Sequence, residues 1–148
     1  MTQQMLEWKR TGPSLEQLRV SDAMHPGVIT CPPDTSLREV ARMMATYRIH
    51  AVVVYGDADG VGAPAPWGVV SDLDLVRAGR GGDLDESTAG EMAGSPVLMV
   101  APDDELARAA QLMVEHEAAH LIVADRRSGR PIGVVSTLDV AQALAGFP

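Results

Sequence analysis

The chain has 148 residues, of which 46% are hydrophobic and 22% are charged, as is usual for a soluble globular protein. Its formal net charge of −8 at pH 7 disfavours binding to the phosphate backbone of nucleic acids. No apolar run approaches the roughly 20 residues of a membrane span, and the N-terminus lacks the apolar core of a signal peptide, so we expect a cytoplasmic protein that binds neither nucleic acid nor membranes.

The first half of the chain predicts a strand followed by an amphipathic helix. An apolar run at residues 28–31 is stopped by Pro-Pro-Asp, a turn sequence typical of a strand end. Ser36 and Glu39 fit a capping box at a helix start. The apolar residues that follow recur at i, i+3, i+4 and i+7, the spacing of one helix face: Leu37, Val40, Ala41 and Met44.

Two more strands and a short helix are predicted next. Residues 51–54 are a continuous apolar run, and a loop at residues 56–67 separates them from the sequence Gly-Val-Val-Ser-Asp-Leu-Asp at residues 68–74. A short helix is expected at residues 75–78. The stretch from residue 79 to 88 is rich in glycine and acidic residues, so we expect a connector there.

The second half repeats this pattern. The sequence Gly-Val-Val-Ser-Thr-Leu-Asp at residues 133–139 nearly duplicates residues 68–74, and Leu106, Ala109 and Met113 repeat the helical spacing 69 residues after the first helix. Each unit is thus predicted as strand, helix, strand, strand and helix. We predict an N-terminal arm at 1–19, a first repeat at 20–78, a connector at 79–88 and a second repeat at 89–146.

This order of elements, with a Gly-hydrophobic-hydrophobic-Ser-x-x-Asp ending in each half, resembles the CBS domain, which occurs as tandem pairs. The resemblance covers about residues 20–146. It implies an α+β fold in which two pseudo-symmetric repeats, each β-α-β-β-α, pack sheet to sheet as one module. It also implies a homodimer and clefts between the repeats that hold AMP, ADP, ATP or S-adenosylmethionine.

The resemblance further implies which residues line the two clefts. In the family, the Asp of Ser-x-x-Asp accepts hydrogen bonds from the ribose hydroxyls, as the two oxygens of a carboxylate suit a vicinal diol. One cleft would then be lined by Ser136, Thr137 and Asp139 together with Thr30, Ile49 and His50. The other would be lined by Ser71, Asp72 and Asp74 together with Met99, Ala119 and His120.

Two departures from the family pattern affect ligand choice. His50-Ala51 and Ala119-His120 stand where the family often has His-Arg, and the missing arginines weaken the case for di- and triphosphates. Asp72 adds a negative charge where Thr137 is neutral, so we expect the Asp139 cleft to bind more tightly. The alternative reading of each Ser-x-x-Asp ending is that it only caps the helix that follows.

The sequence offers two weak signs of other chemistry. His116-Glu-Ala-Ala-His120 matches the zinc-protease pattern His-Glu-x-x-His, which requires both histidines on one helix. The repeat alignment instead places His116 at a helix end and His120 at a strand start, so we expect neither a metal site nor an enzyme. Cys31, the one cysteine, is expected to be a small buried hydrophobe.

The sequence therefore predicts a non-catalytic sensor, without a cofactor beyond the adenosine-type ligand, that acts through an unknown effector protein. The alternative is a structural interaction module whose clefts are degenerate and empty.

Overall fold

The computed structural model describes residues 14–57, 62–93 and 97–146. Most of the predicted N-terminal arm and the middle of the predicted loop at residues 56–67 lie outside these ranges. The first half contains α1 (Val20–Ala23), β1 (His25–Pro26), β2 (Thr30–Cys31), α2 (Leu37–Tyr47), β3 (Ala51–Gly56), β4 (Ala65–Ser71) and α3 (Asp72–Gly81). The second half contains α4 (Ala89–Met92), β5 (Met99–Val100), α5 (Leu106–His116), β6 (His120–Ala124), β7 (Pro131–Ser136) and α6 (Thr137–Leu144).

The predicted order of strand, helix, strand, strand and helix is confirmed in both halves, and the fold is mixed α+β. The largest differences from the predicted boundaries are in the closing helices and in β4. The closing helices begin directly after Ser71 and Ser136, because these serines are the N-caps, and α3 continues past residue 78 to Gly81. Strand β4 begins at Ala65, inside the predicted loop, because β3 continues to Gly56 and pairs with it.

The first packing unit, here called the first-repeat unit, comprises residues 28–98 and 129–131. Its sheet has the order β2-β3-β4, with β2 and β3 parallel and β3 and β4 antiparallel. The helical spacing seen in the sequence places one face of α2 against this sheet. The core consists of Cys31, Leu37, Val40, Met44, Val52, Val54, Val70 and Ala89.

The described part of the second-repeat unit comprises residues 14–27, 99–128 and 132–146. Its sheet has the order β1-β7-β6-β5, with β5 and β6 parallel and β1 and β7 antiparallel. The buried residues occupy the positions that match the other core: Val20, Val100, Leu106, Ala109, Met113, Leu121, Val123 and Val135. In neither half does a described helix have the length and apolar character needed to cross a bilayer.

The first turn of helix α5 makes hydrogen bonds to backbone carbonyl groups from the segment before α1. The backbone N–H groups of Leu106 and Ala107 donate to the carbonyl oxygens of Leu18 and Leu15, at 2.8 and 3.1 Å. These N–H groups are in the first turn, where a helix offers them no acceptor of its own. The N-cap Glu105 makes no side-chain cap, so the segment before α1 supplies acceptors that the local sequence does not.

Helix α2 begins in the same way on a segment from the connector. The N–H groups of Leu37 and Arg38 donate to the carbonyl oxygens of Ser87 and Leu84, both at 3.0 Å. The segment that leads into each sequence repeat therefore completes the packing unit built around the other repeat. The repeat boundaries predicted from the sequence stay a prediction about sequence units, since the packing units cross them.

A close backbone approach fixes β1 on the edge of β7. His25 pairs with Val134 and Pro26 with Gly133, and the N–H of Gly27 donates to the carbonyl oxygen of Ile132 at 2.9 Å. A Cβ atom at Gly133 would lie 2.6 Å from the carbonyl oxygen of His25. Only glycine therefore permits this approach.

We expect Gly133→Ala to lower the free energy of unfolding by about 1–3 kcal/mol, because the new methyl group forces β1 away from β7. Gly79→Ala in α3 is the matched control, since a Cβ there meets no heavy atom within 4 Å. It should raise the stability by up to about 1 kcal/mol, because alanine loses less backbone entropy in a helix. Urea denaturation of both variants measures the difference, and equal stabilities would contradict it.

Candidate functional site

Each Ser-x-x-Asp ending forms a reciprocal capping box where a strand passes into a helix. The hydroxyl of Ser71 accepts from the N–H of Asp74 at 3.2 Å, and Oδ2 of Asp74 accepts from the N–H of Ser71 at 2.9 Å. Ser136 and Asp139 make the same two hydrogen bonds at 3.2 and 2.7 Å. The cap thus uses one oxygen of each carboxylate and leaves Oδ1 for another partner.

At Asp139 the second oxygen is already covered. Nε2 of His25 lies 2.8 Å from Oδ1 of Asp139, an ion pair when the imidazole is protonated. The carboxylate side chain is 2% exposed, whereas the imidazole is 76% exposed. Asp139 is the one polar residue that is buried within the described ranges. Sequence reasoning missed His25 because no local pattern shows that β1 pairs with β7.

At Asp74 the second oxygen, Oδ1, has no hydrogen-bond partner within residues 14–57, 62–93 and 97–146. The Asp74 carboxylate accepts its hydrogen bond from the backbone N–H of Ser71 through Oδ2, and Asp74 is partly exposed. The stretch of the second repeat that corresponds to His25 and its neighbours reads Ala-Gly-Ser-Pro at residues 93–96, and this sequence contains no ionisable side chain. The two endings therefore have the same backbone geometry and differ in the groups that surround the carboxylate.

Asp72 and His50 contact each other within the first-repeat unit. The N–H of Asp72 donates to the carbonyl oxygen of His50 at 2.9 Å, and Nδ1 of His50 lies 3.0 Å from Oδ2 of Asp72. Both side chains are exposed. Sequence reasoning assigned these residues to different clefts, and it treated the Asp72 charge as unbalanced. The contact gives Oδ2 of Asp72 a partner, which offsets its charge when the imidazole is protonated, and the tighter binding expected at the Asp139 cleft stays a prediction.

The remaining predicted site residues lie at strand ends of their own units. Thr30 and Met99 are exposed on β2 and β5 and pair with Val53 and Ile122 at matching positions of the two sheets. In the first-repeat unit, half-buried Ile49 packs against the core beside His50. In the second-repeat unit, Thr137 donates its N–H to the carbonyl oxygen of Ala119 at 2.9 Å, and His120 begins β6.

The repeat alignment predicts that the two histidines of His-Glu-x-x-His do not share a helix, and the structure confirms this. Helix α5 ends at His116, Glu117 takes a left-handed backbone with φ of 51°, and His120 begins β6. The described residues contain no group of three or more His, Cys, Asp or Glu side chains placed to hold a metal ion. Cys31 is buried as expected, and burial raises the pKa of its thiol, which disfavours the reactive thiolate.

The two capping boxes, repeated on matching strands and helices, are accompanied by a match to a known family. The family model of the CBS domain matches residues 20–81 and 89–146. The chain belongs to the CBS domain family. The tandem CBS pair predicted from the sequence is thereby confirmed.

Several known proteins are similar to most of the chain. An uncharacterised protein of Methanopyrus kandleri is 29% identical over 130 residues, which span 86% of this chain and 63% of that protein, so the chain spans less than two thirds of the length of this relative. A CBS domain protein of Pyrobaculum aerophilum, solved in complex with AMP, is 30% identical with a TM-score of 0.69 and covers 82% of this chain and 89% of its own. Hypoxic Response Protein I, solved with two coordinated zinc ions, is 27% identical with a TM-score of 0.68 and covers 86% of this chain and 99% of its own.

We expect Ser71→Ala and Ser136→Ala each to lower the free energy of unfolding by about 1 kcal/mol, because each removes the acceptor at a helix N-terminus. Ser21→Ala, at an exposed position of α1, is the matched control and should change it little. Thermal and urea unfolding of the three variants measure these effects. Unchanged stability in both cap variants would show that the serines do not act as caps.

Proposed function

We propose that this CBS pair is a non-catalytic regulatory module that binds an adenosine-type ligand in clefts between its repeats and signals to a partner protein. The proposal rests on the two Ser-x-x-Asp capping boxes. In each, one carboxylate oxygen accepts the capping hydrogen bond, and this bond fixes the other oxygen at a strand-to-helix turn. The AMP complex of the CBS protein that is 30% identical supports the same ligand class.

The ligand chemistry follows from these groups. A ribose diol donates two hydrogen bonds, and the fixed carboxylate of Asp74 or Asp139 accepts them. The N-termini of α3 and α6 favour an anion near the same turn. Alanine at positions 51 and 119 leaves no arginine beside His50 and His120, so among AMP, ADP, ATP and S-adenosylmethionine we propose AMP over the di- and triphosphates.

The proposal includes a homodimer. Large aliphatic side chains stay exposed on both closing helices: Leu73 and Val76, at 53% and 62%, share one face of α3, and Leu138, at 64%, lies on α6. Apolar groups that remain together on a helix face favour contact with another chain. The effector protein and the cytoplasmic location stay predictions.

One observation favours the second candidate function, an interaction module with degenerate clefts. Both oxygens of the Asp139 carboxylate have partners within the second-repeat unit, Ser136 and His25, so this ending is satisfied without any ligand. Ligand binding at Asp74 separates the two functions, because its second oxygen has no such partner among the described residues.

We expect AMP to raise the melting temperature in proportion to the logarithm of its concentration, since a ligand at 100 times its Kd adds about 2.7 kcal/mol of stability. Asp74→Ala should reduce the shift, whereas Glu115→Ala, an exposed change on α5, should leave it intact. Differential scanning fluorimetry with AMP, ATP and S-adenosylmethionine measures this. No shift with any of the three would favour the interaction module.

For the homodimer we expect light scattering to give twice the mass of one chain. Val76→Glu should shift the mass towards the monomer, because it places a charge among the exposed aliphatic side chains of α3. Val114→Glu is the matched control, since Val114 is also exposed, at 79%, on α5 and has no large aliphatic neighbour at helical spacing. A monomeric parent chain would contradict the dimer.

A further inference from the structure

The two Ser-x-x-Asp endings differ in one side chain that the repeat pattern does not supply. His25 covers Oδ1 of Asp139, while Oδ1 of Asp74 has no such cover among the described residues. The difference is not one of backbone, because both endings form the same capping box with distances that agree within 0.2 Å. It therefore concerns what a ligand meets at the carboxylate.

The backbone of β1 holds His25 beside Asp139. Strand β1 pairs with β7, and β7 runs directly into α6 at Ser136, the residue that caps the Asp139 helix. The contact of His25 with Gly133 leaves no room for a side chain at that glycine. Strand pairing in the sheet therefore fixes the position of the His25 imidazole beside Asp139.

The energetics make this imidazole a displaceable cover. The carboxylate is buried, and a buried charged group that loses its partner is strongly disfavoured. The imidazole is 76% exposed, so water hydrates it once it is released, and the cost of displacement falls on the carboxylate. A ligand can take the place of His25 only if it donates hydrogen bonds to the carboxylate in return, as a ribose diol does.

From these contacts we infer that His25 is a specificity-determining residue of the Asp139 site: its imidazole occupies the carboxylate oxygen that the ribose diol would bind. Ligand must displace it, so the Asp74 site fills first and the Asp139 site fills only at higher concentration. This order is the reverse of the one expected from the charge of Asp72. The inference rests on the proposed function, because it concerns the affinity of a ligand site in that module.

The test uses AMP and isothermal titration in the full chain, with Asp74→Asn in every variant so that the Asp139 site is measured alone. Adding His25→Ala should tighten AMP binding about tenfold, because the ligand no longer competes with an imidazole for a charged acceptor. Adding His25→Gln should restore weak binding, since the Gln amide can also donate to Asp139. His116→Ala is the control for loss of an exposed imidazole outside the site, and should change nothing.

Two further measurements keep the outcomes distinct. Circular dichroism of the His25→Ala variant should show that it is folded. In nitrogen NMR of the parent chain, the imidazole resonance of His25 should shift only after the first equivalent of AMP has bound. Equal or weaker binding after His25→Ala in the Asp74→Asn background, with AMP still bound by the parent chain, overturns the role of His25 and leaves the proposed function standing. If the parent chain and every variant fail to bind AMP, the role of His25 is overturned, and if they also fail to bind ATP and S-adenosylmethionine, the proposed function is overturned as well.

Discussion

The turn from β4 into α3, and its copy from β7 into α6, is the constraint on which the rest of the site depends. A strand delivers its last residue, the serine, at the sheet edge, and the reciprocal hydrogen bonds with the aspartate three residues later start the helix at once. Because these bonds satisfy backbone groups that a helix start leaves without partners, the same two residues that begin the helix also orient its carboxylate. The hydrogen bonds that stabilise each helix start therefore also fix the carboxylate that the proposed ligand would contact.

The duplication is close in packing and incomplete in chemistry. The core residues of the two units occupy matching positions, and each long helix begins on two carbonyl groups from the segment that leads into the other repeat. Packing requires only volume and backbone complementarity, so both halves retain it. The polar groups around the two carboxylates differ: His25 contacts Asp139, whereas in the other half the exposed His50 contacts Asp72, two residues before Asp74.

Local patterns predicted the elements well, because the spacing of apolar residues reports directly on the face that a helix or strand buries. The helix with Leu37, Val40 and Met44 and its copy 69 residues later, with Leu106, Ala109 and Met113, both formed, and those six side chains are buried. The helix that starts at Asp72 was predicted to start only at residue 75, since the capping serine, and not the first apolar residue, decides where it begins. Ser71, Asp74, Ser136 and Asp139 could be named from the sequence because the motif is local.

The sequence by itself determined the repeat, the family, the element order and the two carboxylates, since each of these depends on residues that are close together in the chain. Tertiary structure alone decided the environment of the carboxylates. His25 lies more than a hundred residues before Asp139, and its position depends on the approach of β1 to Gly133. Pairing between distant strands leaves no periodic signal in the sequence, because any apolar or neutral edge can serve as a partner. The burial of Asp139, and with it the difference between the two carboxylates, follows from this pairing and not from the local sequence.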